Sequence, residues 1–194
     1  MRIFVAVFPT AEAQALAHAA GESLRQNAER EGLPASGVSW VKRENLHYTL
    51  RFIGDVGEDG ARRIAEAAQE AARGCAPFEA TLGAPGAFPR PRDARVLWIG
   101  LASDEARFAD LAMRLERALE RRGFTRESRR FSAHLTLGRV RTPSHDWSVA
   151  LAGVNSLASE AAASFTVRSV SVVASTLSPK GSRYDVRAEA ILSL

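Results

Sequence analysis

Two hydrophobic periods alternate along this chain. Residues 2–8, RIFVAVF, are β-branched and aromatic and predict an opening strand. Residues 11–31 place alanine and leucine at helical spacing, with Thr10 as N-cap and Glu12 and Glu22 on the exposed face. The turn cluster GLPASG follows, then two short strands, VSWV and LHYTLRFIG, joined by KREN. Helical period returns over 58–73. FEATLGAPGAF and ARVLWIGL are strands separated by PRPRD. The clearest helix is 104–122, where Phe108, Leu111, Leu115 and Leu119 make one stripe. AHLTLGRV is the next strand, and residues 143–162 read as a loop with a short helix. SFTVRSVSVVAST alternates with period two and reads as one strand. LSPKGSR is then a hairpin loop before the final strand YDVRAEAILSL. Helices followed by paired strands predict an α+β fold with antiparallel pairing. With no low-complexity linker, residues 1–194 read as one domain of two related lobes.

Composition refines this little. The 194 residues are 46% hydrophobic and 25% charged, an ordinary globular balance. The net charge is +4, and every basic residue except Lys42 and Lys180 is arginine, which leans toward phosphate or nucleic acid. Cys75 is the single cysteine. It excludes an internal disulfide or a cysteine zinc cluster and reads as a small apolar filler. No segment approaches a membrane-crossing length, so no membrane partner is expected and the default location is the cytoplasm.

The chemistry lies in a repeated motif. His47-Tyr48-Thr49-Leu50 is echoed by His134-Leu135-Thr136-Leu137. Two of four histidines opening H-x-T-L by chance is roughly a one in ten thousand event. Strand side chains alternate faces, so His47 and Thr49 share one face, as do His134 and Thr136. Tyr48, Leu50 and Phe52 then take the opposite, packing face, and Arg51 falls on the His47 face. Side by side, two imidazoles and two hydroxyls suit a phosphoester. One ring accepts a proton from the attacking oxygen and the other protonates the departing one. The hydroxyls hold non-bridging oxygens. The scheme requires no metal and no cofactor.

On RIFVAVFP, WVKRENLHYTLRFIGDV, AHLTLGRV and STLSPKGSRYDV, the chain resembles the two-histidine (2H) phosphoesterase superfamily. Within it, the chain is most similar to the RNA 2′,3′-cyclic phosphodiesterase (2′-5′ RNA ligase) family. The resemblance implies a bilobal duplicated fold, with two antiparallel β-sheets lining a central cleft and helices packed outside. It implies hydrolysis of RNA 2′,3′-cyclic phosphate ends, tRNA fragments possible among them, to 2′-phosphomonoesters. Reversible 2′-5′ ligation and a monomeric enzyme are implied too. By analogy His47 is the general acid and His134 the general base. Arg139 matches a phosphate-contacting arginine, and Phe4 an aromatic that stacks a base. Strict alternation puts Arg139 on the wrong face, but Gly138 would permit a bulge that re-aims it. Tyr184 and Lys180 would border the cleft, and Arg126, Arg129 and Arg130 would guide RNA backbone or form a solvated face. The alternatives are a phosphodiesterase for a small cyclic nucleotide such as ADP-ribose cyclic phosphate, and a non-catalytic RNA-binding module.

Overall fold

The fold follows from where each period finds a partner. The computed structural model describes residues 1–142, 145–157, 161–178 and 181–194. Its strands are β1 (Arg2–Val7), β2 (Val38–Trp40), β3 (Tyr48–Asp55), β4 (Phe78–Phe88), β5 (Val96–Ser103), β6 (Leu135–Val140), β7 (Ser164–Val167), β8 (Ser169–Ser178) and β9 (Gly181–Ile191). The helices are α1 (Ala11–Arg30), α2 (Glu58–Ala72), α3 (Glu105–Glu120) and α4 (Ser148–Ala152). The Thr10 hydroxyl caps α1 by accepting from the Ala13 N–H at 3.3 Å. The α3 stripe Phe108, Leu111, Leu115 and Leu119 is buried almost completely.

The strands run in the order β7-β4-β5-β6-β3-β1-β8-β9, with β2 also on β6, and their pairings are antiparallel. Two four-stranded halves, β7-β4-β5-β6 and β3-β1-β8-β9, meet among the described residues at a single register pair, Tyr48 with Leu135. Helices cover one face. α2 lies over β8 and β9, α3 lies over α2 and β3, and α1 packs on α4 and β6. Between them sits a continuous apolar core that includes Ile3, Val5, Tyr48, Ile64, Leu97, Phe108 and Leu135. Cys75 is buried within it.

Two details differ from the periodicity. The stretch 164–176 is two strands, not one. β7 pairs with β4, and after Arg168 the chain enters the other half as β8, between β1 and β9. Unbroken alternation cannot reveal a change of partner. The expected hairpin loop at 177–183 is mostly strand, with Leu177 opposite Ser182 and Ser178 opposite Gly181. Gly181 has φ +109°, a region that favours glycine. Lys180 lies outside the described residues, as do 143–144 and 158–160 of the ambiguous stretch.

Candidate active site

Both histidines stand one residue before their strands. His47 precedes β3 and His134 precedes β6. Because Tyr48 pairs with Leu135 in antiparallel sense, the register runs His47 toward Thr136 and His134 toward Thr49. Tyr48 and Leu135 point into the core, fully buried. The flanking residues of both motifs therefore project from the other face. The duplicated motif forms one quartet around the seam of the two half-sheets.

Each ring is held the same way. His47 Nδ1–H donates to the Asn45 carbonyl oxygen at 2.7 Å, and His134 Nδ1–H donates to the Ser132 carbonyl oxygen at 2.8 Å. A carbonyl only accepts, so both contacts fix the proton on Nδ1 and leave Nε2 as the exchanging nitrogen. The halves differ at the threonines. The Thr49 hydroxyl is 3.0 Å from His47 Nε2 and donates to it in the neutral ring.

Bulges decide which neighbours share this face. Between β5 and β6 the register shifts, so that Leu97 faces Gly138 while Trp98 faces Thr136. That extra residue, Leu137, returns Arg139 to the face of Thr136 and His134. Gly138 is required by close approach, since a Cβ there would meet Val38 Cγ1 at 2.6 Å. A second shift sets Thr49 opposite Ala6 but Arg51 opposite Val5. Leu50 is the extra residue, and this corrects two expectations. Arg51 turns to the helix side, where Nε meets Glu116 at 3.0 Å and Nη1 meets Glu127 at 3.2 Å. Phe52 falls opposite Phe4, on the cleft side, and is 52% exposed rather than packed.

Phe4 stands on the same face, beside the first of the two rings. Its ring stacks on His47, centroids 4.8 Å apart, with the Tyr184 edge against it at 5.0 Å, and it is only 3% exposed. One face of the Phe4 ring is therefore packed on the imidazole. Tyr184 closes the same cluster at 5.4 Å from His47, and Phe8 at 5.5 Å. Asn45 Nδ2 donates to the Ser182 carbonyl oxygen at 2.9 Å, tying the segment before Tyr184 to the His47 turn. In the other half the Phe88 ring meets His134 edge-on at 4.9 Å and Trp98 at 4.9 Å. Phe88 and Trp98 carry no motif. Their only sequence signal was alternation in FEATLGAPGAF and ARVLWIGL.

The surroundings favour neutral rings. Burial pulls the His47 imidazole from its ordinary 6.5 down to about 4; the Asn45 carbonyl opposes this, and the Arg139 and His134 charges add to it. Burial also lowers His134, opposed by the Ser132 carbonyl and reinforced by Arg139. Arg139 thus acts on both rings at once. An NMR titration should show His47 changing charge near pH 4 and His134 below 6.5. Arg139→Gln should raise both midpoints, because removing a nearby cation favours the imidazolium. A His47 midpoint at 6.5 or above would contradict this account of its burial.

Among the described residues no three His, Cys, Asp or Glu side chains gather into a metal-binding group. No described helix is long and apolar enough to cross a membrane. The site as built is two Nε2 atoms, two hydroxyls and one guanidinium on one cleft face, a set of proton acceptors, hydroxyl donors and a cation that can exchange protons beside a held anion.

The chain is similar to known proteins. A Methanothermobacter thermautotrophicus protein named RNA 2′,3′-cyclic phosphodiesterase is 40% identical over 147 residues, 76% of this chain and 78% of that protein. An Archaeoglobus fulgidus protein of the same name is 35% identical over 187 residues, 95% of this chain and 96% of its own. A crystal structure from Thermus thermophilus superposes with a TM-score of 0.77 at 26% identity, covering 99% of this chain and 98% of the other. E. coli LigT complexed with 3′-AMP shares the fold, with a TM-score of 0.70 at 23% identity, covering 100% and 98%. The LigT like Phosphoesterase profile matches twice, at residues 16–98 and 99–184. A chain matched by it over nearly its whole length, with both H-x-T-L turns at one seam, belongs to the LigT-like phosphoesterase family, within the 2H superfamily.

Proposed function

We propose that the protein hydrolyses RNA ends carrying a 2′,3′-cyclic phosphate to 2′-phosphomonoesters, by acid–base catalysis between His47 and His134 and without a metal. The observation that carries this reading is the matched tethering of two imidazoles through Nδ1, with Arg139 acting on both. The relatives' names supply the substrate class.

In this mechanism water attacks phosphorus as His134 Nε2 takes its proton, and the P–O3′ bond breaks as His47 Nε2–H protonates the departing oxygen. Arg139 and the threonine hydroxyls hold the non-bridging oxygens, where charge develops. The resting His47 ring is neutral, so it takes up its proton from solvent as the substrate binds. The bound phosphate anion supplies the reason, because it offsets Arg139 and favours an imidazolium beside it. Attack by a 5′-hydroxyl in place of water, with His134 taking its proton and His47 protonating the departing O3′ as before, gives a 2′-5′ linkage, and cleavage of that linkage exchanges the two roles. The protein works as a monomer in the cytoplasm, a single unit of two related lobes, with tRNA fragments among its substrates.

The direct test is incubation with an oligoribonucleotide ending in a 2′,3′-cyclic phosphate, with EDTA present. Conversion to a 2′-phosphate end is the expected result. Absence of turnover, dependence on an added metal, or turnover confined to ADP-ribose cyclic phosphate would overturn the proposal.

A further inference from the structure

The cleft face carries one large aromatic that, among the described residues, is more than half exposed and touches neither histidine ring. Phe52 pairs with Phe4 across β1 and β3, and partners in an antiparallel ladder project from the same face. Phe4 is covered by His47 and Tyr184, yet Phe52, beside it, is 52% exposed. On the far side of Phe4 the same row continues through Val173 to Val186, itself 60% exposed.

A basic segment is tethered next to Phe52 in the chain. Among the described residues β3 pairs with β6 only at Tyr48, and beyond that pair the chain leading into His134 is held to β3 through the Arg51 side chain. Arg51 fastens it there. Its Nη2 donates to the Thr125 carbonyl oxygen at 2.6 Å, its Nη1 donates to Glu127 at 3.2 Å, and that Nη1 also donates to the Phe52 carbonyl oxygen at 3.1 Å. The fastened segment carries Arg126, Arg129 and Arg130, all exposed. Arg129 leans on Glu127, and neither Arg126 nor Arg130 has an ion pair among the described residues.

We propose that Phe52 and the Arg126–Arg130 segment form a track for single-stranded RNA that leads into the catalytic seam. Phe52 stacks the base of a nucleotide preceding the cyclic-phosphate end, and the arginines hold backbone phosphates. An exposed aromatic with an exposed basic segment tethered to its own strand is the combination that binds single strands without reading sequence. Arg51 is a positioning residue, setting the basic segment beside the aromatic.

The inference rests on the RNA reading above and deepens it, and the experiment separates the two. kcat/KM is measured for a nucleoside 2′,3′-cyclic monophosphate and for a pentanucleotide with the same cyclic end. The wild type is expected to prefer the pentanucleotide. Phe52→Ala should lose about tenfold on the pentanucleotide, the scale of one stacked base, and keep its rate on the mononucleotide. Phe52→Trp should restore the preference. Arg126→Ser with Arg130→Ser should flatten the salt dependence on the pentanucleotide alone. Equal rates for the two substrates in the wild type, or equal loss on both in Phe52→Ala, would overturn the track while leaving the hydrolase reading in place. A wild type inactive on both substrates would sink that reading itself.

Discussion

His47→Ala and His134→Ala should each lower kcat by about 10²–10⁴-fold, the usual contribution of one positioned proton-transfer group. The two rings serve one transition state, one withdrawing a proton as the other delivers one. The double variant should therefore be little worse than either single variant. Loss of a ring also removes a stacking partner of Phe4 or an edge partner of Phe88, so thermal melts must accompany the rates. His18→Ala is the matched control, since His18 lies on α1 and belongs to neither motif. The pH dependence adds a readout that misfolding cannot imitate. A bell-shaped kcat/KM profile should lose one limb in each single variant. If either variant kept more than a tenth of wild-type kcat with the bell intact, the acid–base pair would be the wrong description.

Tyr48→Ala should be the most damaging single change to stability, about 3–5 kcal/mol, the cost of emptying a buried aromatic site. Tyr48 is fully buried, packs on Phe108 at 5.1 Å and Phe165 at 6.0 Å, and supplies half of the one register pair joining the two half-sheets among the described residues. Its hydroxyl donates to the Gly100 carbonyl oxygen at 3.3 Å. Burial pushes the phenol well above its ordinary range, so it stays protonated. Tyr48→Phe removes only that hydrogen bond and should cost about 1 kcal/mol, with activity retained. Urea unfolding checks both variants. Similar midpoints for the two would mean that the ring contributes nothing at the seam.

Much of this was legible in the chain. The α3 stripe, the Thr10 cap and the paired H-x-T-L motifs are local periodicities, and each appears where its residues put it. Alternation failed wherever a strand carries an extra residue. Leu50 and Leu137 are ordinary apolar residues with no signature of a bulge. Yet they decide that Arg51 faces the helices, that Phe52 faces the cleft, and that Arg139 shares the face of His134. Gly138 marked the second bulge, and nothing marked the first. The break at Arg168 was equally silent, because both strands it separates are apolar in alternation. The surroundings of Phe4 were hidden for a different reason. It stands on the expected strand, but its exposure depends on Tyr184, near the other end of the chain.

The interleaving of the two half-sheets bears on when the enzyme can first work. β4 to β7 occupy one continuous span, residues 78–167, and apart from the short β2 that half takes no strand from outside it. The half carrying His47 is split around it, joining β1 and β3 to β8 and β9. Such distant pairings form slowly, because long loops must close first. On a ribosome, which releases residues in order, the His134 half can settle early. His47 must wait for residues 169–191, which bring Tyr184 against it. Residues as far as 191 have therefore been made before both histidines can stand at the seam.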